Sequence, residues 1–192
     1  MSSELKINIQ KTAIVVIDLQ KGIVSMPAEP NPAGVVIANV TKLLTAVRKN
    51  NMPVFLVHVT PSPDMKDALR PISESSFQRS GFDPGWSEFV PQLNIQPNDF
   101  LITKHQWGAF YGTELDLQLR RRGIDTIILC GIATNFGVES TARYAYELGY
   151  NQIFVEDAMA ARSKEEHAYP VKYIFPRLGL IRNTEEVLKG LP

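Results

Sequence analysis

Cysteine is nearly missing from this chain of 192 residues, which holds only Cys130. A single thiol excludes an internal disulfide framework and any cluster of thiolate metal ligands, and such usage fits a reducing compartment. A charge excess is missing too: 20 Lys plus Arg stand against 20 Asp plus Glu, for a net charge of 0. With no basic surplus to meet a phosphate backbone, nucleic acid is not an expected partner. No run reaches the ~20 apolar residues needed to cross a bilayer, and the opening MSSELKINIQKT has no apolar signal-like core. The expectation is a soluble, cytoplasmic protein with no membrane partner.

Several chemical signatures are absent as well. His58, His105 and His167 lie far apart without HxH or HExxH spacing, so neither a metal nor another cofactor is expected. The chain has no GxGxxG dinucleotide turn, no GxxxxGK[ST] phosphate loop and no GxSxG nucleophile elbow.

An apolar fraction of 44% with 21% charged residues excludes whole-chain disorder and suits one domain over residues 1–192. A chain of this length buries roughly 70% of the surface its unfolded form exposes. Ala13 to Ile17 is continuously apolar and β-branched, which predicts a strand covered on both faces and ending at Asp18. Val36, Val40, Leu43, Leu44 and Val47 recur at helical spacing and predict a helix over 33–50. Further strands are expected at 53–59, at 99–103 running up to Lys104, at 126–130, at 152–155 ending in Glu156-Asp157, and at 180–181. Helices are expected at 113–122 with Thr113 as N-cap, at 136–148, around 165–175 despite Pro170, and at 184–188. Strands alternating with helices predict an α/β fold with a parallel sheet. Residues 60–98 are rich in Pro, Ser and Gly without periodicity, which predicts a lid or an interface segment, with Phe82, Pro84 and Trp86 supplying rigid contacts.

In open parallel sheets ligands bind beyond the carboxyl ends of the strands, where strand order reverses. Asp18, His58 with Thr60, Lys104, and the stretch from Gly131 to Gly137 all fall at such ends, so four separate stretches can converge on one pocket. Asp18 and Lys104 form either an acid/base and charge-stabilising pair or an ordinary ion pair at a strand edge. Trp107, Phe110 and Tyr111 offer aromatic surface that clasps a ligand and excludes water, or else belong to the core. Gly131 to Asn135 reads as a loop whose amides, at the start of the next helix, can hold an oxyanion or a carboxylate. Cys130 closes an apolar strand and reads as a buried small hydrophobe.

The stretch Val16-Ile17-Asp18-Leu19-Gln20, the segment from Lys104, and the run from Gly131 through Asn135, Phe136, Gly137, Val138 and Glu139 to Ala142 resemble the isochorismatase-like hydrolases, also called the cysteine hydrolase superfamily. The resemblance covers nearly the whole chain. It implies a three-layer αβα sandwich, Rossmann-like, with a predominantly parallel sheet of about six strands, assembled as a homo-oligomer, and a hydrolase acting on a small-molecule substrate. Asp18 matches the family's catalytic aspartate and Lys104 its catalytic lysine. Ile132, Ala133, Phe136 and Gly137 fall on the loop that positions substrate, with a non-proline cis peptide implied at Ile132-Ala133. His58, Trp107, Phe110 and Tyr111 are the further pocket candidates.

One departure changes the implied chemistry. Many members place a cysteine nucleophile where this chain has Gly137, and glycine forms no thioester intermediate. Cys130 lies seven residues earlier and does not take its place. His58 alone matches no complete set of the ligands that bind metal in the family's nicotinamidases. Isochorismatases, which also occur with glycine at this position, cleave a carboxylated vinyl ether. Analogy with them assigns neutral Asp18 as the acid, Lys104 as the group that orients or neutralises substrate charge, and the loop amides from Ile132 to Gly137 as positioning groups. A cysteine-independent amidase and a catalytically silent ligand-binding or oligomeric module remain the alternatives.

Overall fold

The computed structural model describes residues 5–74 and 83–192; Phe82, one of the rigid contacts expected of the long segment, lies outside them. Among the described residues, β1 (Thr12–Ile17), β2 (Val54–Val59), β3 (Phe100–Lys104), β4 (Thr126–Ile132), β5 (Asn151–Ala160) and β6 (Leu180–Arg182) form a sheet in the order β3-β2-β1-β4-β5-β6. Every pairing is parallel. Strand order reverses between β1 and β4, which puts the crevice expected of such sheets between the ends that carry Asp18 and Ala133.

Alternation along β1 builds both halves of the core. Ile14 and Val16 point to one face, where, beyond the single turn of α1 (Lys21–Val24), α2 (Ala33–Lys49) lays down Val36, Val40, Leu43, Leu44 and Val47, and α7 (Thr184–Gly190) adds Val187. Ala13, Val15 and Ile17 point to the other, against Leu115 and Leu119 of α3 (Leu115–Arg121), Ala142 and Ala145 of α4 (Glu139–Glu147) and Phe175 of α6 (Phe175–Leu178). These are the three layers of an αβα sandwich. Each fully buried aliphatic side chain contributes about 2 kcal/mol of transfer free energy, which is why the α2 stripe fixes that helix to the sheet. No helix among the described residues is long and apolar enough to cross a membrane.

Three local expectations need correction, and a fourth, the helix across Pro170, holds. Gly131 and Ile132 continue β4 rather than opening a loop. The segment read as a strand ending at Glu156-Asp157 runs on as β5 to Ala160, past an irregularity in its pairing opposite Leu129 and Gly131 that breaks the apolar pattern. Before α4 the chain makes a π-turn at Thr134–Val138. The helix expected around 165–175 is present as α5 (Lys164–Tyr169), a π-turn at Pro170–Ile174 whose carbonyl at Pro170 accepts from Phe175 N, and then α6.

The flanks of the 60–98 stretch are tied to the sheet ends. Gln20, fully buried, accepts from Val59 N at 2.9 Å and donates to Val59 O at 3.0 Å and Trp86 O at 3.3 Å. Gln20 and Phe89 form an antiparallel bridge, and His105 Nδ1 lies 3.1 Å from the Asp67 carboxylate.

Candidate active site

Asp18 sits one residue beyond β1 with φ at 52°, a left-handed conformation that costs a non-glycine residue energy and recurs at functional sites. Its neighbour across the sheet explains how the chain reaches it. Gly131 has φ at 119°, and a Cβ there would lie 2.1 Å from the Ile17 carbonyl, so only glycine lets β4 approach β1 at this point. Asp18 is 5% exposed and Lys104, from the end of β3, 1%. Nζ of Lys104 donates to Asp18 Oδ2 at 2.8 Å, to Trp107 O at 2.7 Å and to Gln106 O at 3.2 Å. An ammonium has three N–H bonds, so every donor of Lys104 is spent inside the protein. Lys104 therefore has no N–H left to donate to a substrate, while its charge stays beside Asp18.

The other carboxyl oxygen, Asp18 Oδ1, is buried and has no hydrogen-bond partner. Burial pushes the Asp18 carboxyl above its ordinary value of 3.8, and the pull of the Lys104 ammonium and its hydrogen bond does not cancel that rise. With Oδ2 accepting from an ammonium, the proton of the neutral form belongs on Oδ1.

Gly137 completes the cluster. A Cβ on it would lie 2.8 Å from Ile17 Cγ2, 3.0 Å from Asp18 Oδ2 and 3.4 Å from Lys104 Nζ. The backbone at 137 thus packs directly on the ion pair, leaving less room than a side chain needs. Thr141, missed in the sequence, donates to Gly137 O at 2.6 Å and accepts from Ala109 N at 3.1 Å, tying the Gly137 turn to the segment after Lys104. The 137/141 spacing, one helical turn with a hydroxyl at its end, was the signal that could have found it. Gln20, which anchors the end of β2 next to the site, left no such signal.

The remaining candidates divide. The peptide Ile132-Ala133 is cis, as the resemblance implied. Ile132 and Ala133 are buried in the α2-side core, and the Ala133 carbonyl accepts from Phe136 N at 3.2 Å and Val138 N at 3.1 Å. The Phe136 amide is therefore committed within the turn and does not face a ligand as expected. The Phe136 ring, 36% exposed, meets Trp107, 59% exposed, edge-on at 4.9 Å, an aromatic rim beside Gly137. Tyr111 is exposed, while Gly112 has φ at 68° and serves the turn. Phe110 is not a pocket residue: it is buried and stacks with Tyr144 and Tyr150. Nor does His58 offer a nitrogen to a ligand. Its Nδ1 lies 2.8 Å from Ser87 O and its Nε2 2.8 Å from Thr103 Oγ1, an arrangement that a neutral ring with the proton on Nδ1 satisfies completely. Cys130 lies on the α2 side of the sheet, away from the ion pair, with its thiol pushed far up by burial. Among the described residues no three His, Cys, Asp or Glu side chains converge as a metal site.

Comparison with known proteins places this arrangement. Residues 12–186 match the isochorismatase domain family. The uncharacterised isochorismatase family protein YwoC of Bacillus subtilis is 53% identical, covering 98% of each chain. A solved structure of an isochorismatase family protein from Burkholderia thailandensis superposes with a TM-score of 0.94 at 46% identity, covering 98% of this chain and 99% of the other. The ureidoacrylate amidohydrolase RutB of Variovorax paradoxus is 30% identical over 80% of this chain and 70% of its own.

Proposed function

The chain belongs to the isochorismatase family of hydrolases, and from that premise we propose that it hydrolyses a small carboxylated metabolite at Asp18 without a covalent enzyme intermediate, by cleavage of a vinyl ether. The observation that carries this reading is the asymmetry of the Asp18 carboxyl. Oδ2 is pinned by Lys104, Oδ1 is unpartnered, and burial raises the pKa. That describes a general acid with its proton on the unpartnered oxygen.

In the proposed step, Asp18 Oδ1 gives its proton to the terminal methylene of the vinyl ether, whose π electrons form the new C–H bond and leave an oxocarbenium centre. Water adds to that carbon and returns a proton to Asp18. The resulting hemiketal collapses to a ketone, pyruvate in the case of isochorismate, and the alcohol leaves. Lys104 acts on Asp18, holding its orientation and, by donating to Oδ2, leaving Oδ1 to carry the proton. A carboxylate on the substrate adds negative charge beside Asp18, which raises its pKa further and offsets the lysine. Trp107 and Phe136 supply the apolar edge against which the rest of the substrate lies. The described flanks of 60–98, anchored by Gln20 and His105, suit a cover over this end of the sheet.

An amide substrate of the kind named for the amidohydrolase relative asks for a nucleophile, which position 137 does not supply. The deciding experiment is a coupled assay of pyruvate release from isochorismate, run beside ammonia release from small amides. Pyruvate release that Asp18→Asn abolishes supports the reading. Folded protein that releases no pyruvate across a broad pH range overturns it.

A further inference from the structure

One buried titratable side chain outside the Asp18–Lys104 pair touches the turn that carries Gly137. His167, in α5, is 3% exposed, and its Nδ1 lies 2.9 Å from the hydroxyl of Thr134, which is fully buried. Thr134 opens the π-turn Thr134–Val138, although 33 residues separate it from the histidine. We propose that His167 is a positioning residue that acts through Thr134 to fix this turn and, with it, the place of Gly137 against Asp18. Only the consequence for turnover rests on the reading of Asp18 as the acid.

The direction of the bond follows from its surroundings. His167 Nε2 has no hydrogen-bond partner, and the carboxylate of Glu156, on β5, lies 4.0 Å away. An N–H at Nε2 turns its positive end toward that carboxylate, whereas a bare lone pair would face it with like charge. Nε2 therefore carries the proton, Nδ1 accepts, and the Thr134 hydroxyl donates. Burial pushes the imidazole below its ordinary pKa, so the neutral ring that can accept persists at neutral pH.

The turn is thereby held at both ends. His167 grips Thr134 at its start, and Thr141 binds the Gly137 carbonyl near its finish, with the Phe136 and Val138 amides closed on Ala133 between them. Without the histidine acceptor, Thr134 keeps a buried hydroxyl with nothing to donate to, and the turn relaxes toward another partner. Clearance at Gly137 is small, since a Cβ there would lie 3.0 Å from Asp18 Oδ2, so a small shift of the turn changes the acid's surroundings.

The test uses the full chain, labelled with ¹⁵N, and follows the Gly137 amide resonance. His167→Leu and Thr134→Val delete the bond; His167→Asn places an amide near the Nδ1 position, and Thr134→Ser keeps the hydroxyl. The Gly137 resonance is expected to move in the same direction in the Leu and Val variants, to move no further in the double variant, and to return in the Asn and Ser variants. With isochorismate as substrate, kcat falls about 10- to 100-fold in the two deletion variants while KM stays within about 3-fold, and the Asn and Ser variants recover. A Gly137 resonance unmoved in folded Thr134→Val overturns the proposal, and that near-isosteric pair with Thr134→Ser remains readable if His167→Leu does not fold. A protein that shows the resonance pattern yet releases no pyruvate retains the positioning role and loses the reaction. Pyruvate release undiminished in Thr134→Val overturns the consequence for turnover, whatever the resonance does.

Discussion

Lys104 Nζ lies 2.8 Å from Asp18 Oδ2 and spends its other two N–H bonds on the carbonyls of Trp107 and Gln106, so the lysine serves the aspartate rather than a ligand. Breaking a buried ion pair from one side is costly because it strands the other charge. Lys104→Met should lower unfolding free energy by about 3 kcal/mol, near the lower end of such losses because the stranded carboxyl can protonate. Urea unfolding measures it, and a loss below about 1 kcal/mol would mean that the pair behaves like an exposed one.

Gly137 makes a second, sharper case. A methyl group at this position meets Ile17 Cγ2 at 2.8 Å in a fully buried core, where the isoleucine has little freedom to retreat. Gly137→Ala should cost about 1–3 kcal/mol by overpacking. It should also reduce kcat/KM at least about 10-fold, since the added carbon presses on the acid itself. A variant with wild-type stability and rate would show that the turn has room that the packing denies.

The His167 pKa makes stability depend on pH with a definite sign. The folded state holds the ring below its ordinary 6.5, so the unfolded chain takes up the proton first. Its contribution is present above about 6.5 and is lost as pH falls through that value toward the folded pKa. Wild type should therefore lose stability relative to His167→Asn as a solution is acidified from pH 7, with Glu156, 4.0 Å from Nε2, the carboxylate that moderates the loss. Parallel stability curves for the two proteins across that range would contradict the burial argument.

Pyruvate release, if Asp18 is the acid, should depend on pH in the opposite sense to a carboxylate nucleophile. The proton-bearing form is active, so kcat/KM declines as pH rises through the raised Asp18 pKa. The profile should flatten on the acid side of that pKa, where Asp18 is fully protonated. A rate that climbs with pH through this range would assign Asp18 the role of base.

Much of this architecture was legible in the chain, for identifiable reasons. Continuous apolar runs such as Ala13–Ile17 and the Val36-to-Val47 stripe have one physical solution each, a strand buried on both faces and a helix with one apolar side. Sheet order then brings Asp18 beside Lys104 and Gly137. What was not legible depends on contacts that spacing does not encode. The bond between Thr134 and His167, the closed turn on the Ala133 carbonyl and the full commitment of the His58 nitrogens arise only once loops are placed. Phe110 shows the same limit, since an aromatic residue a few positions after Lys104 reads alike whether it faces a ligand or, as here, stacks on Tyr144 and Tyr150.

The account depends on a carboxyl group at position 18 that keeps its proton more tightly than an ordinary aspartate despite its lysine. Titration of the Asp18 side-chain ¹³C resonance in the intact protein, assigned through Asp18→Asn, measures this without any substrate. The account predicts a midpoint above 3.8, displaced upward again when a small carboxylate such as pyruvate is bound. A midpoint at or below 3.8 would contradict it, because the lysine would then have made Asp18 a permanent anion with no proton to give.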